Sequence, residues 1–496
     1  MILTNGKIWT GGHSFARAVS IRGDRIASLD GSGDGPVIDL QGRLVVPGFI
    51  DNHVHFVMGG ARLEEVQLRD AASREEFRGR IAAHAKKLDA GRWITGGSWD
   101  EQQWSPAVPP SRDDIDAPDH PVFVTRLDLH MGVANDVALR LAGITRDTPD
   151  PAGGTIVRDA RGEPTGLLKD AAMPLVMRII PPLSMRQRVA AAKRALGEAA
   201  RHGVTSLCNM AIAPDAIDDF RAFQELDLSA RIWMYLPIGS EAPSIDATSR
   251  LRIAGFKGFS DGSLGSSTAA FRDPYDDDPA NRGLLMRDWI PAANASRLQL
   301  AIHAIGDRAN DEVLKVFESL PNARERRLRI EHAQHLDIEL ICRFAKGEVI
   351  ASAQPYHAVD DGRWADARIG PERARWAFAF RSLLDAGVTL TFGSDWPVAP
   401  LDPIAGIHAA VTRRWIPEQR VTVAEALRCY TASAAWSVFA EDEIGTIAPG
   451  MRADLAVLSE DLFTIAPEEI QRARVDMTIF DGRVIYEADA RSAVAG

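Results

Sequence analysis

Eight short, almost continuously apolar runs alternate with helical stretches through the middle of this chain, and no other feature limits the fold as tightly. The runs are LVVPGFIDNHVHF, GVTSLCNM, RIWMYLPI, IAGFKGFSDG, LQLAIHAIGD, LRIEHAQ, VIASAQPYH and VTLTFGSDWP. Amphipathic segments such as SMRQRVAAAKRALGEAARH and DRANDEVLKVFESL lie between them. Strands that are apolar on both faces must be covered on both faces, so this alternation predicts a parallel sheet wrapped in helices. Eight such units is the count of a (β/α)8 barrel, an α/β fold of the TIM type.

The spacing is uneven in one place. Runs one and two stand about 150 residues apart, far too long a gap for one helix, so an insertion subdomain over 57–202 is expected after the first barrel strand. Its strand-like segments RWITGGSWD and VFVTRLDLH end in Trp, Asp and His, side chains suited to lining a pocket. The two ends of the chain read differently again. MILTNGKIWTGG, ARAVSIRGDRIASLDG, IGTIAPGMRADLAVLSE and DMTIFDGRVIYEAD alternate apolar and polar residues around Asn-Gly, Gly-Asp and Asp-Gly signals, the pattern of hairpins. Residues 1–49 and 446–496 are therefore expected to make one small β-sandwich-like domain beside a barrel domain of 50–445.

Composition narrows the partners. Lys and Arg number 57 against 68 Asp and Glu, a net charge of −11, and no basic run occurs. Phosphate binding needs concentrated positive charge, so neither nucleic acid nor an anionic membrane is expected, and a small-molecule substrate fits better. Cys208, Cys342 and Cys429 are too few and too scattered for a disulfide framework or a thiolate zinc site. With no signal-peptide pattern at the start and no run of about 18 apolar residues, the expected location is cytoplasmic. A homodimer is the default assembly for an enzyme of this size.

Twelve histidines are present, and several close the apolar runs. His53 and His55 end the first run. Residues i and i+2 of a strand point the same way, so both imidazoles leave the C-terminal end of that strand together, where barrel active sites lie. Alone, His-x-His is equally read as a hydrogen-bonded polar strand end. His303 ends run five, His332 run six and Asp395 run eight. Four imidazoles and a carboxylate on one rim are hard to explain by packing, and N/O ligands of this kind suit Zn²⁺ or a similar divalent ion. Lys257 lies in run four, where a buried ammonium is costly; its amine would be partly neutral and able to add CO₂, giving a carbamate that can bridge two metals. Lys169 in the insertion competes for that role. Ser260 in GFSDG formally matches a nucleophile elbow, but the segment runs on into GSLGSS rather than into a helix.

These motifs, with LTNGKIWT, DLQGRLVVPGFIDNHVHF, GGSWDE, DGSLGS, HAIGDRAND, RIEHAQ, GSDWP and IGTIAPGMRADLAVL, make the chain resemble the amidohydrolase superfamily. Within it the likeness is to the amidohydrolase family 3 group that includes N-substituted formamide deformylase. The resemblance implies a barrel with a β-sandwich domain from both chain ends. It also implies metal ligation by His53, His55, carboxylated Lys257, His303, His332 and Asp395, with one Zn²⁺ or similar ion per chain, or two if Lys257 is carboxylated. The implied reaction is hydrolysis of a C–N amide bond in a small N-acyl or N-formyl substrate. Metal-bound hydroxide attacks and Asp395 shuttles the proton to the leaving amine. Cyclic amides, esters or a deaminase-type reaction at the same site, or a non-catalytic metal-binding relative, remain open alternatives. On the substrate side the sequence offers Trp99, Asp100, His130, Ser263, Gln354, His357 and Trp396, whose aromatic members favour an apolar substrate group. Asp307 and Glu331 are read as partners of ligand residues or helix caps.

Overall fold

Strands that follow one another in the chain also lie side by side. The barrel strands are β1 (Phe49–Val54), β2 (Val204–Met210), β3 (Arg231–Pro237), β4 (Leu251–Phe259), β5 (Gln299–Ala304), β6 (Arg329–His332), β7 (Ile350–Ala353) and β8 (Leu390–Phe392). In the computed structural model, which describes residues 1–488 apart from His13, 32–34, Asp128, His130, 152–153, 212–214 and 242–247, they form one eight-stranded sheet in that order. All seven sequential pairs are parallel. The ring closes where β1 meets the segment after β8: Val54 bridges Trp396, Asp395 N–H donates to the His53 carbonyl at 2.7 Å, and Asp51 accepts Ser394 N–H at 2.9 Å. Position 393 must be glycine, because a Cβ there would lie 2.5 Å from the His53 nitrogen. This is a TIM-like (β/α)8 barrel.

Local chemistry explains the elements. Every residue of β2, β5 and β7 is buried, as the apolar runs require. The helix Asp307–Ser319 after β5 turns Ala309, Val313, Leu314 and Phe317 inward, one stripe at helical spacing. Ile338–Gly347 starts where the Asp337 carboxylate accepts the Leu340 N–H. One departure from the apolar reading lies inside the barrel, where Asn52, Tyr235, Gln299, Arg329, Glu331 and Ser352 are all buried. They satisfy one another: Tyr235 bonds Gln299, and Arg329 Nη2 donates to the Asn52 carbonyl at 2.6 Å and to Ser352 Oγ at 2.8 Å.

Two further sheets are built from the chain ends, the first from N-terminal strands alone and the second from both ends. One has the order Arg25–Leu29, Val19–Arg22, Ile2–Thr4, Val37–Asp39. The other runs Arg483–Glu487, Val475–Phe480, Leu455–Leu458, Leu44–Pro47, Lys7–Trp9, Phe15–Ala16, so that Ala456 faces Val46 across the two ends. Leu3, Ile8, Val45, Leu455 and Ile479 share one core there. Arg231 at the start of β3 is ion-paired with Asp454 and Asp481, tying these sheets to the barrel.

Residues 58–191 form a separate compact unit. Its six-stranded sheet has the order Gly154–Arg158, Pro164–Asp170, Met131–Ala134, Phe123–Arg126, Gly96–Trp99, Val66–Gln67, and Phe77, Ile81, Trp99, Trp104 and Val124 pack in its own core. The unit ends at Ala191, within the helix Met185–Arg201. Among the described residues no helix is long and apolar enough to cross a membrane.

His202, just past that helix, gives the fold a pH signature. Its Nε2 is 3.2 Å from Glu198 and its Nδ1 3.8 Å from Asp402, which caps the helix Pro403–Thr412. Burial alone would lower its pKa, but the two carboxylates outweigh burial and push it from 6.5 up to about 9. A folded value above the unfolded one means that this cluster stabilises fully below about pH 6.5 and that its contribution fades as pH rises through about 9. Because the ring is partly solvated, His202→Gln is expected to cost about 1 kcal/mol at pH 6 and nothing at pH 10.5, read from urea unfolding at both values. An equal loss at both would rule the ion cluster out as the cause.

Candidate metal centre

The ligand-type side chains meet at the C-terminal ends of β1, β5 and β6 and just beyond β8. His53 and His55 leave the same side of β1 with ring centroids 5.5 Å apart. His332, the last residue of β6, lies 5.1 Å from the His53 ring and 4.5 Å from that of His303 on β5. Asp395 Oδ1 is 3.1 Å from His55 Nε2 and 3.4 Å from His53 Nε2. One ligand atom each from His53, His332 and Asp395 all fall within 4.8 Å of one another, a span one cation can bridge. Lys257 sits on β4, 2% exposed, and its Nζ has no hydrogen-bond partner. Lys169 is on the strand Pro164–Asp170 of the insertion unit, not on the barrel.

Charge and protonation fit a cation. Burial and the Lys257 charge push the His53 imidazole down to about 4, and burial with His303 beside it drives His332 well below the ordinary value. Both rings are neutral near pH 7, the form that binds metal. Burial would raise the Asp395 pKa, but positive charge among His53, His55 and His332, carried by a protonated ring or by a cation bound to the neutral ones, outweighs it and holds the carboxyl well below its usual range. Burial lowers Lys257 to about 8, which leaves an appreciable neutral amine at physiological pH. Each imidazole also has one nitrogen committed to an oxygen outside the cluster. The acceptors are Glu331 for His53 Nδ1, the Met210 carbonyl for His55 Nδ1 at 2.7 Å, Gln354 Oε1 for His332 Nδ1 at 2.7 Å, and the Gly262 carbonyl for His303 Nε2 at 3.1 Å. That bond fixes the proton on the outer nitrogen and leaves the other with a free lone pair. Two of these residues also sit in left-handed backbone, His332 at φ 70° and Asp395 at φ 61°. Such strain is kept in a fold where it aims a functional side chain. A buried lysine without a hydrogen-bond partner, two neutral imidazoles and an ionised carboxylate make a donor set suited to a divalent cation.

The amidohydrolase family profile matches residues 36–486. The chain belongs to the amidohydrolase family. Protein LONG AFTER FAR-RED 3 of Arabidopsis thaliana is 38% identical over 98% of this chain and 91% of its own length. N-substituted formamide deformylase of Arthrobacter pascens is 28% identical over 96% of each. Among solved structures, a metal-dependent hydrolase from Pyrococcus furiosus is 32% identical, with a TM-score of 0.74 over 93% of this chain and 99% of that one. This amidohydrolase is accordingly a metal-dependent hydrolase.

Around the centre, the residues expected on the substrate side divide. His357 begins the helix His357–Asp361, stacks on His332 at 6.1 Å and brings Nε2 to 3.8 Å from Asp395 Oδ2. Trp396 packs against Phe56 at 6.0 Å and is 7% exposed. Ser263 is half-buried, its hydroxyl 3.0 Å from that of Ser266 within the glycine- and serine-rich loop. Gln354 is fully buried; its amide oxygen accepts from His332 Nδ1, and its amide nitrogen has no hydrogen-bond partner. Trp99 and Asp100 serve the insertion unit: the indole is fully buried and donates to the Val124 carbonyl, and the carboxylate pairs with Arg126. His130 lies outside the described residues. Ser260 is followed by a turn, not a helix, so GFSDG is no nucleophile elbow in this amidohydrolase.

Two residues of this amidohydrolase site escaped the sequence reading. Asp261, just past β4, is buried and accepts backbone N–H groups from Ala270, Ile305 and Gly306, pinning the loops after β4 and β5. Phe259, two residues on from Lys257 and therefore on its face of β4, is 40% exposed; its ring lies 5.3 Å from that of His303. The i+2 spacing from Lys257 was the signal that could have found it.

Proposed function

We propose that this protein hydrolyses the C–N bond of a small N-acyl or N-formyl amide that carries an apolar group. His53, His55, His303, His332 and Asp395, with Lys257 as its carbamate, would hold one or two divalent ions, Zn²⁺ suiting these ligands best. When bound, such ions make water a nucleophile near neutral pH and polarise the substrate carbonyl. The observation that carries the reading is Asp395: a buried carboxylate kept ionised among imidazoles, with one oxygen 3.1 Å from His55 and the other 3.8 Å from His357. It accepts a proton from the attacking water and returns it to the amide nitrogen as the C–N bond breaks, so the products are a carboxylic acid and a neutral amine. His357, with Nε2 3.8 Å from Asp395 Oδ2, would hold the carbonyl or the leaving group. The formamide substrates named for the Arthrobacter relative support the amide assignment.

Phe259 supports the apolar group. An exposed ring against a ligand imidazole gains when substrate hydrocarbon covers it. The test is a panel of N-formyl and N-acyl amines, lactams, esters and amidines, each offered with a methyl and with a benzyl substituent. Amide hydrolysis with the benzyl members preferred is expected, and Phe259→Ala should lower kcat/KM about tenfold for benzyl amides while leaving methyl amides nearly unchanged. Turnover confined to esters or amidines would contradict the reading.

A further inference from the structure

His53 is held unlike its three neighbours. It is 1% exposed, the least of the four imidazoles, and its Nδ1 meets a carboxylate, Glu331 Oε2, at 2.5 Å. The other three rings donate to neutral oxygens: a carbonyl for His55, an amide for His332, a carbonyl for His303. Asp261 also lies 3.4 Å from His303, but its oxygens are occupied by three backbone N–H groups.

Glu331 and Arg329 are two residues apart on β6, both fully buried and both facing the barrel axis. Arg329 Nε donates to Glu331 Oε1 at 2.5 Å, and Ser352 Oγ donates to Glu331 Oε2 at 2.8 Å. The same guanidinium donates to the carbonyl of Asn52, the residue before His53, at 2.6 Å. Arg329 thus grips both the carboxylate behind the His53 ring and the strand that carries it. A carboxylate buried this deeply needs a counter-charge to stay ionised, and an ionised carboxylate can only accept, so the proton must stay on His53 Nδ1. The resulting negative charge behind the ring strengthens Nε2 as a donor.

We infer that Glu331 and Arg329 are positioning residues for the metal centre, fixing the His53 tautomer and making His53 the strongest of the imidazole ligands. This rests on the metal centre and not on the choice of substrate, so the readout is cation binding. Glu331→Gln is expected to weaken Co²⁺ and Zn²⁺ binding about 10- to 100-fold in competition with a coloured chelator, and to shift the visible spectrum of the Co²⁺ protein. Circular dichroism reports whether the variant folds. Ser352→Ala removes one hydrogen bond to Glu331 without changing charge and should weaken binding in the same direction by less. Histidine labelled with ¹⁵N in the wild-type Zn²⁺ protein should show His53 protonated at Nδ1, with a strongly deshielded N–H proton. A folded Glu331→Gln with wild-type affinity and spectrum overturns the inference. If that variant does not fold, wild-type affinity in Ser352→Ala together with a proton on His53 Nε2 overturns it. A wild-type protein that binds neither ion overturns the metal centre itself.

Discussion

Asp395→Asn is expected to lower kcat by about 10²- to 10⁴-fold while the protein folds normally and keeps most of its bound cation. The carboxamide has the same shape and retains one oxygen at the position now 3.1 Å from His55 Nε2. What it loses is basicity. The carboxyl lies well below its usual range when positive charge sits among His53, His55 and His332, so beside a bound cation it is ionised and free to accept a proton throughout the neutral range. Asparagine cannot take that proton, and an amine leaves an amide poorly unless protonated. His53, His55 and His332 remain to hold the ion. Near-full turnover in Asp395→Asn, or loss of turnover in step with lost cation, would remove Asp395 from the proton path.

Lys257→Ala is expected to remove one cation per chain where the wild-type protein binds two, and to lower activity by at least about 10²-fold. Lys257 is 2% exposed, its Nζ has no hydrogen-bond partner, and burial lowers its pKa to about 8. A charged ammonium in that position faces a desolvation cost with no hydrogen bond against it, only the Phe259 ring at 4.8 Å and the charges of Glu331 and Asp395. Adding CO₂ to the neutral amine with loss of a proton would convert this donor into an anionic oxygen ligand. The wild-type protein should therefore carry one CO₂ per chain in its intact mass under native conditions, and the variant none. Unchanged stoichiometry and turnover in Lys257→Ala would leave the lysine as an ordinary buried residue.

The barrel and the ring of ligand-type side chains on its rim were legible because both follow from local rules. A strand buried on both faces must be apolar along its length, and the rule that i and i+2 share a face placed His53 beside His55 before any fold was known. Polar residues closing β5, β6 and β8 then fell on the same rim by topology alone. What the sequence could not give is who holds whom. Glu331 stands 278 positions from His53 in the chain, and nothing local announces that its carboxylate meets that ring. Gln354 read as a substrate contact because it follows an apolar strand, yet the turn after β7 brings its amide to His332. Trp99 and Asp100 close a strand with the same polar and aromatic signature as a pocket wall. In the insertion unit that signature belongs to a packed indole and an arginine ion pair. Phe259 was passed over for the opposite reason, since an apolar residue on an apolar strand attracts no notice until its exposure is seen.

An anomalous-difference map from crystals of the Zn²⁺-loaded, active protein tests the central claim most directly. The account predicts a peak among His53, His332 and Asp395 and next to His55, at the C-terminal ends of β1 and β6. Crystals that hydrolyse amides but carry no peak there, or carry their metal elsewhere, would contradict it.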